Sequence, residues 1–171
     1  MYKTLSKLAE KIFNKSQIFK YGFNLSPMYR RSTGKVISVS NDLLTVKIKI
    51  PISYKNKNYV GSIFGGSLFS ATDPIYMIQL LNILGDNYVV WDKSAEIKYR
   101  RPAKKDAFAS FIFSSDEIEH IKQKVTQKGE LDWIKNLQIT DDNQTVFCEL
   151  EKTMYIATKE FYKQKRKKKN S

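Results

Sequence analysis

The chain has 171 residues, 42% of them hydrophobic and 27% charged, which excludes a wholly disordered or fibrous protein and suffices for one domain with a substantial core. A single cysteine, Cys148, and a single histidine, His120, exclude an intrachain disulfide and a Cys/His zinc centre. The net charge of +13 is concentrated at the ends, with eight bases against Glu10 in residues 1–35 and six bases without an acid in 163–171, so the flanks, and not the neutral middle, favour anionic partners such as a lipid surface or nucleic acid.

Residues 3–20 read as an amphipathic helix. Leu5, Leu8, Ala9, Ile12, Phe13 and Phe19 recur at helical spacing, and Lys3, Lys7, Lys11 and Lys15 repeat on the opposite side. Such a start fits a helix packed on the domain, and equally an organelle-targeting or membrane-surface segment. Without an apolar run long enough for a secretion signal or a membrane span, the expected location is cytoplasmic. Leu25-Ser26-Pro27 ends the pattern and opens a loop.

From Gly34 the period becomes two. Leu44, Val46, Ile48 and Ile50 alternate with polar residues up to Pro51, and with residues 35–40 they predict a hairpin turning at Asn41-Asp42. A polar loop, 53–60, leads to a helix at about 66–84 that is apolar on nearly every side and is therefore buried, with Gly85 as its stop. Further strands are expected at 87–101, 106–113, 132–140 and 144–158. In the last, Val146, Cys148, Leu150, Met154 and Ile156 share one face, which Lys152 interrupts. Between the middle pair, Ser114 and Glu117 form a capping box for a surface helix with the single apolar stripe Ile118, Ile121 and Val125. The Lys-rich tail reads as a solvated, disordered end. One buried helix among long antiparallel strands is most simply solved by wrapping a curved sheet around it.

Asn58, Gly61, Gly65, Gly66 and Asp73, within Asn-Tyr-Val-Gly-Ser-Ile-Phe-Gly-Gly-Ser-Leu-Phe-Ser-Ala-Thr-Asp, fall in the register of a motif of the hotdog-fold acyl-CoA thioesterases, which the chain resembles. The stretch Ala95 to Ala103, with Tyr-x-x-Pro-Ala at its end, resembles the strand that follows the central helix in that family. Phe-Gly-Gly-Ser-Leu, Thr-Asp-Pro and Tyr-Val-Val-Trp-Asp-Lys are closer still to the DUF4442 group of thioesterase-like hotdog proteins, over roughly 27–159. The resemblance implies an α+β hotdog fold over 27–160, preceded by the helical segment 1–26 and followed by a basic tail, 161–171. It also implies a homodimer or higher oligomer, with the Asp of one protomer facing the Gly-Gly of the other. The implied function is hydrolysis of an acyl-CoA or acyl-carrier thioester in lipid metabolism, without a metal and with no cofactor except the CoA of the substrate. A non-catalytic acyl-CoA-binding module is the alternative. Where the better-studied thioesterases carry His before Gly-Gly, this chain has Phe64.

Two readings stand for each residue that the resemblance singles out. Gly65 would polarise the thioester carbonyl from the helix start, with Phe64, Gly66 and Ser67 beside the substrate. The plain alternative for the two glycines is close packing. Asp73 would activate water or attack the thioester; as Asp-Pro it is also an apt helix cap at a kink. Asn58 would position the attacking group, or simply shape a turn. Asp92 would be a second carboxylate able to raise the proton affinity of Asp73, or part of an exposed strand-start pair with Lys93. His120 falls on a solvated face. Cys148 reads as a buried strand thiol, and Ser67 lacks the surroundings of a nucleophile elbow.

Overall fold

The computed structural model describes residues 13–169. Helix α1 (Lys15–Leu25) starts at a capping box in which the Asn14 side chain accepts from the Gln17 N–H at 2.9 Å. Its Phe19 and Phe23 rings lie 4.8 Å apart, and Phe23 meets Tyr29 edge-on at 4.9 Å, so this helix is sewn into the core by aromatic contact. The helix expected over 3–20 therefore extends to Leu25, while residues 3–12 lie outside the described residues. Pro27 opens no loop; it occupies the first position of a second short helix, α2 (Pro27–Arg31), where its missing N–H costs nothing.

Strands β1 (Lys35–Val39) and β2 (Thr45–Ile50) form the expected hairpin. The long apolar helix is not continuous. It is α3 (Gly65–Thr72) and α4 (Ile75–Leu84), broken at Asp73-Pro74, because proline lacks the N–H and its ring crowds the carbonyl four residues back. Both pieces are buried through Leu68, Ala71, Ile75, Tyr76 and Leu80. Strands β3 (Tyr88–Tyr99), β4 (Ala107–Ile112), β5 (Glu130–Thr140) and β6 (Val146–Thr158) follow the expected boundaries closely, as does helix α5 (Ser115–Lys128) with its Ser114–Glu117 capping box.

The six strands make one antiparallel sheet in the order β1-β2-β4-β5-β6-β3, whose apolar face packs on α3 and α4. This is the hotdog arrangement. Its two edges are treated differently. On the β1 edge, the Asn24 amide imitates a neighbouring strand: its Oδ1 accepts from the Val36 N–H at 2.8 Å and its Nδ2 donates to the Val36 carbonyl at 2.9 Å. Among the described residues, the β3 edge has no strand or helix side chain laid along it in this way, and Trp91, Lys93, Ser94, Ala95 and Glu96 along it are exposed.

The Lys-rich end is ordered as helix α6 (Lys159–Lys169), contrary to the disordered tail expected from composition. The Thr158 hydroxyl accepts from the Phe161 N–H at 3.2 Å and starts the helix. The Phe161 ring then fills the space above Gly129, where a Cβ would come within 2.2 Å of it. Lys165 adds an ion pair to Glu130 at 2.5 Å. Among the described residues, no helix is long and apolar enough to cross a membrane.

Candidate functional site

The site residues divide between the two ends of α3. At its start, the loop from Pro51 to Ile63 is tied down by Asn56, which is buried and donates to the Thr33 hydroxyl at 2.7 Å and the Pro51 carbonyl at 2.9 Å. The Ile63 N–H donates to the Ala103 carbonyl at 2.8 Å, which fastens the loop to the segment after β3. Asn58 shapes the loop tip. Its Oδ1 accepts from the Val60 and Ser62 N–H groups at 3.1 and 3.0 Å, and from the Ser62 hydroxyl at 3.2 Å. The turn reading of Asn58 is thus visible, and these bonds engage only its oxygen.

Both glycines make room for aromatic rings. A Cβ on Gly65 would meet the Tyr99 ring at 2.9 Å, and one on Gly66 would meet the Phe64 ring at 2.2 Å. The packing reading therefore holds, yet it leaves the backbone available. Among the described residues no hydrogen bond engages the Gly65 or Gly66 N–H, so both point to the positive end of the helix dipole as unused donors. Phe64 and Tyr99 are more than half exposed, and Ser67 is half-buried beside them. Burial and the neighbouring Cys148 push the Tyr99 phenol above its ordinary range.

At the other end of α3 lies Asp73. It caps neither helix with its side chain; the residue at the start of α4 is Pro74, with no side-chain cap bond. What Asp73 faces is Lys152. This lysine stands on the core face of β6, in line with Cys148, Leu150, Met154 and Ile156, and is fully buried. Its Nζ donates to the Asp73 carbonyl and to Asp73 Oδ1 at 3.1 Å, and pairs with Asp92 Oδ2 at 3.0 Å. Asp92 comes from β3, so helix break, edge strand and central strand converge on one ammonium. A buried cation needs this much compensation.

Asp92 is accordingly no exposed strand-start residue. Its Oδ1 is buried without a partner among the described residues. Burial raises its proton affinity, Lys152 pulls it back, and the Asp73 charge raises it further. The carboxyl group lifted above its ordinary range is Asp92. Lys152 escaped sequence reasoning because an isolated lysine in an apolar alternation reads as an interruption; its regular position on the inward face was the available signal. Tyr99 was visible only as part of a motif.

The remaining candidates fall elsewhere. Cys148 is buried as expected, and burial pushes its thiol up to about 11, the reverse of what a nucleophile needs. His120 is exposed on α5 near Trp133. Among the described residues no cluster of His, Cys, Asp and Glu is arranged to hold a metal.

The family model for DUF4442, a domain of unknown function, matches residues 15–156, which takes in α1 as well as the sheet. No curated protein matches the chain. Among solved structures, a protein of unknown function from Pseudomonas aeruginosa, called a probable thioesterase, is 19% identical with a TM-score of 0.74; 83% of this chain and 95% of that one are covered. A protein of unknown function from Chlorobaculum tepidum TLS is 17% identical with a TM-score of 0.67, covering 83% and 93%. A thioesterase from Haemophilus influenzae is 12% identical with a TM-score of 0.53, covering 92% and 91%. At these identities the likeness is one of fold, and it is the hotdog fold built above from the strands upward. With the family model spanning everything from the first described helix to the strand that carries Lys152, the chain belongs to the DUF4442 family and shares the thioesterase-like fold.

Proposed function

We propose that the protein is a thioesterase that hydrolyses an acyl-CoA or acyl-carrier thioester, and that it works as a homodimer. The observation that carries this reading is the half-exposed Asp73 carboxylate, held at the break between α3 and α4 by a buried lysine. In the proposed reaction, Asp73 takes a proton from water as the water oxygen adds to the thioester carbon. The Gly65 N–H receives the resulting oxyanion at the positive end of α3. The carbon–sulfur bond then breaks, and the thiolate leaves with the proton, giving a free acid and a thiol. The amide nitrogen of Asn58 orients the water, while Phe64, Gly66 and Ser67 line the acyl thioester. Surface lysines and arginines hold the CoA phosphates.

The dimer follows from length. Eight residues of helix separate Gly65 from Asp73 by about 12 Å, too far for both to reach one carbonyl carbon. Asp73 of one protomer and Gly65 of another close that gap, and the open β3 edge offers the surface for such pairing. The test is release of free CoA from a panel of acyl-CoAs of different chain length. Turnover supports the reading. Saturable binding without CoA release would replace it with a non-catalytic acyl-CoA-binding module.

A further inference from the structure

An ammonium group has three protons, and Lys152 Nζ has three acceptors: the Asp73 carbonyl, Asp73 Oδ1 and Asp92 Oδ2. It is therefore saturated and has no hydrogen left for a ligand. One Asp73 oxygen is thereby engaged, and Oδ2 is the one left over on a side chain that is 49% exposed. Asp92, by contrast, is three-quarters covered, its side chain 25% exposed, and shares the same ammonium. The two carboxylates compete for a single cation.

We propose that Lys152 is a positioning residue that clamps one oxygen of Asp73 and turns the other toward water, and that Asp92 tunes this clamp by competing for the ammonium. The proposal rests on the reading of Asp73 as the water-activating group. The surroundings support a closed three-charge unit. From β5, Lys135 is the register neighbour of Lys152, but it is neutralised by Glu117 of α5 at 2.9 Å. Next to Asp92, Lys93 is paired with Asp132 of β5 at 2.5 Å. The neighbours of Lys152 on its own strand face, Leu150 and Met154, are apolar and buried. Lys152 and Asp73 are the charged groups that bear on the proton affinity of Asp92.

The pair makes opposite predictions for two substitutions. Lys152→Met removes the cation that pulls Asp92 down and should move the protonation midpoint of Asp92 upward. Asp73→Asn removes the competing carboxylate and should move it downward. The measurement is a carboxyl-carbon NMR titration of Asp92 in the full chain, with kcat and KM for CoA release followed in parallel. In Lys152→Met, kcat should fall with KM little changed. Movement in the two opposite directions supports the proposal; a midpoint unmoved in both variants, or moved the same way, overturns it. Should Lys152→Met not fold, Asp73→Asn decides alone, since a downward shift of Asp92 is required there. The titration needs no substrate, so a wild-type protein that releases no CoA would end the thioesterase reading while the clamp is still decided by the midpoints.

Discussion

Asp73 carries two demands, to accept from Lys152 and to act on a water, and one substitution separates them. Asp73→Asn keeps an oxygen for the lysine but has no carboxylate. Turnover should fall by at least ~100-fold, while the melting temperature changes little; unchanged CoA release in this variant would remove Asp73 from the chemistry. Gly65, Gly66 and Asp73 stood out in the sequence only through the register of the motif that the chain resembles. Their partners did not. Tyr99 lies 34 residues beyond Gly65, and Lys152 lies 79 residues beyond Asp73, and only the folded sheet brings such distant side chains together.

Elements were legible wherever a period was unmistakable, as in the β1–β2 hairpin and α5. Two of the misreadings have opposite causes. The break between α3 and α4 follows from Pro74, which the sequence marked as a kink, while the apolar run on both sides read as one continuous helix. The ordering of α6 comes from the tertiary pairing of Phe161 with Gly129 and of Lys165 with Glu130, which composition does not reveal. A further tertiary tie has a pH signature. Asp106 accepts from the Ile52 N–H at 2.9 Å and pairs with Lys49 at 2.7 Å, so that it fastens the loop before α3 to the start of β4. The bond from Lys49 holds its carboxyl below the ordinary range. A carboxylate with a lowered folded-state value stabilises the fold above the ordinary carboxylate range, about pH 4, and loses that contribution as pH falls through the folded value. Asp106→Asn should therefore melt earlier than the wild type at neutral pH, and the gap should close under acid. A gap independent of pH would show that Asp106 acts without its charge.

At the scale of the molecule, charge and chemistry are separated. Bases crowd α6 and the residues before β1, whereas the candidate site holds two carboxylates and one lysine. Strand order was not readable from the sequence, since alternation names a strand but not its neighbours; it is the folded sheet that shows it. The proposed assembly has a direct check. Sedimentation should give a mass of a multiple of 19.9 kDa, at least two. A monomer at micromolar concentration would leave Gly65 and Asp73 about 12 Å apart with nothing to bridge them, and would overturn the shared site.

Asn24 has a consequence beyond holding α1 to the sheet. A sheet with two bare edges can add chains at both and grow without limit, as fibres do, whereas a sheet with one bare edge accepts a single two-fold partner and then stops. By taking up the N–H and carbonyl of Val36, one asparagine amide occupies backbone groups through which a further chain would add at the β1 edge. Asn24→Ala should reopen that edge, so light scattering should rise steadily with protein concentration in the variant and level off in the wild type. Equal scattering from both would mean that the bulk of α1, and not its amide, closes the sheet.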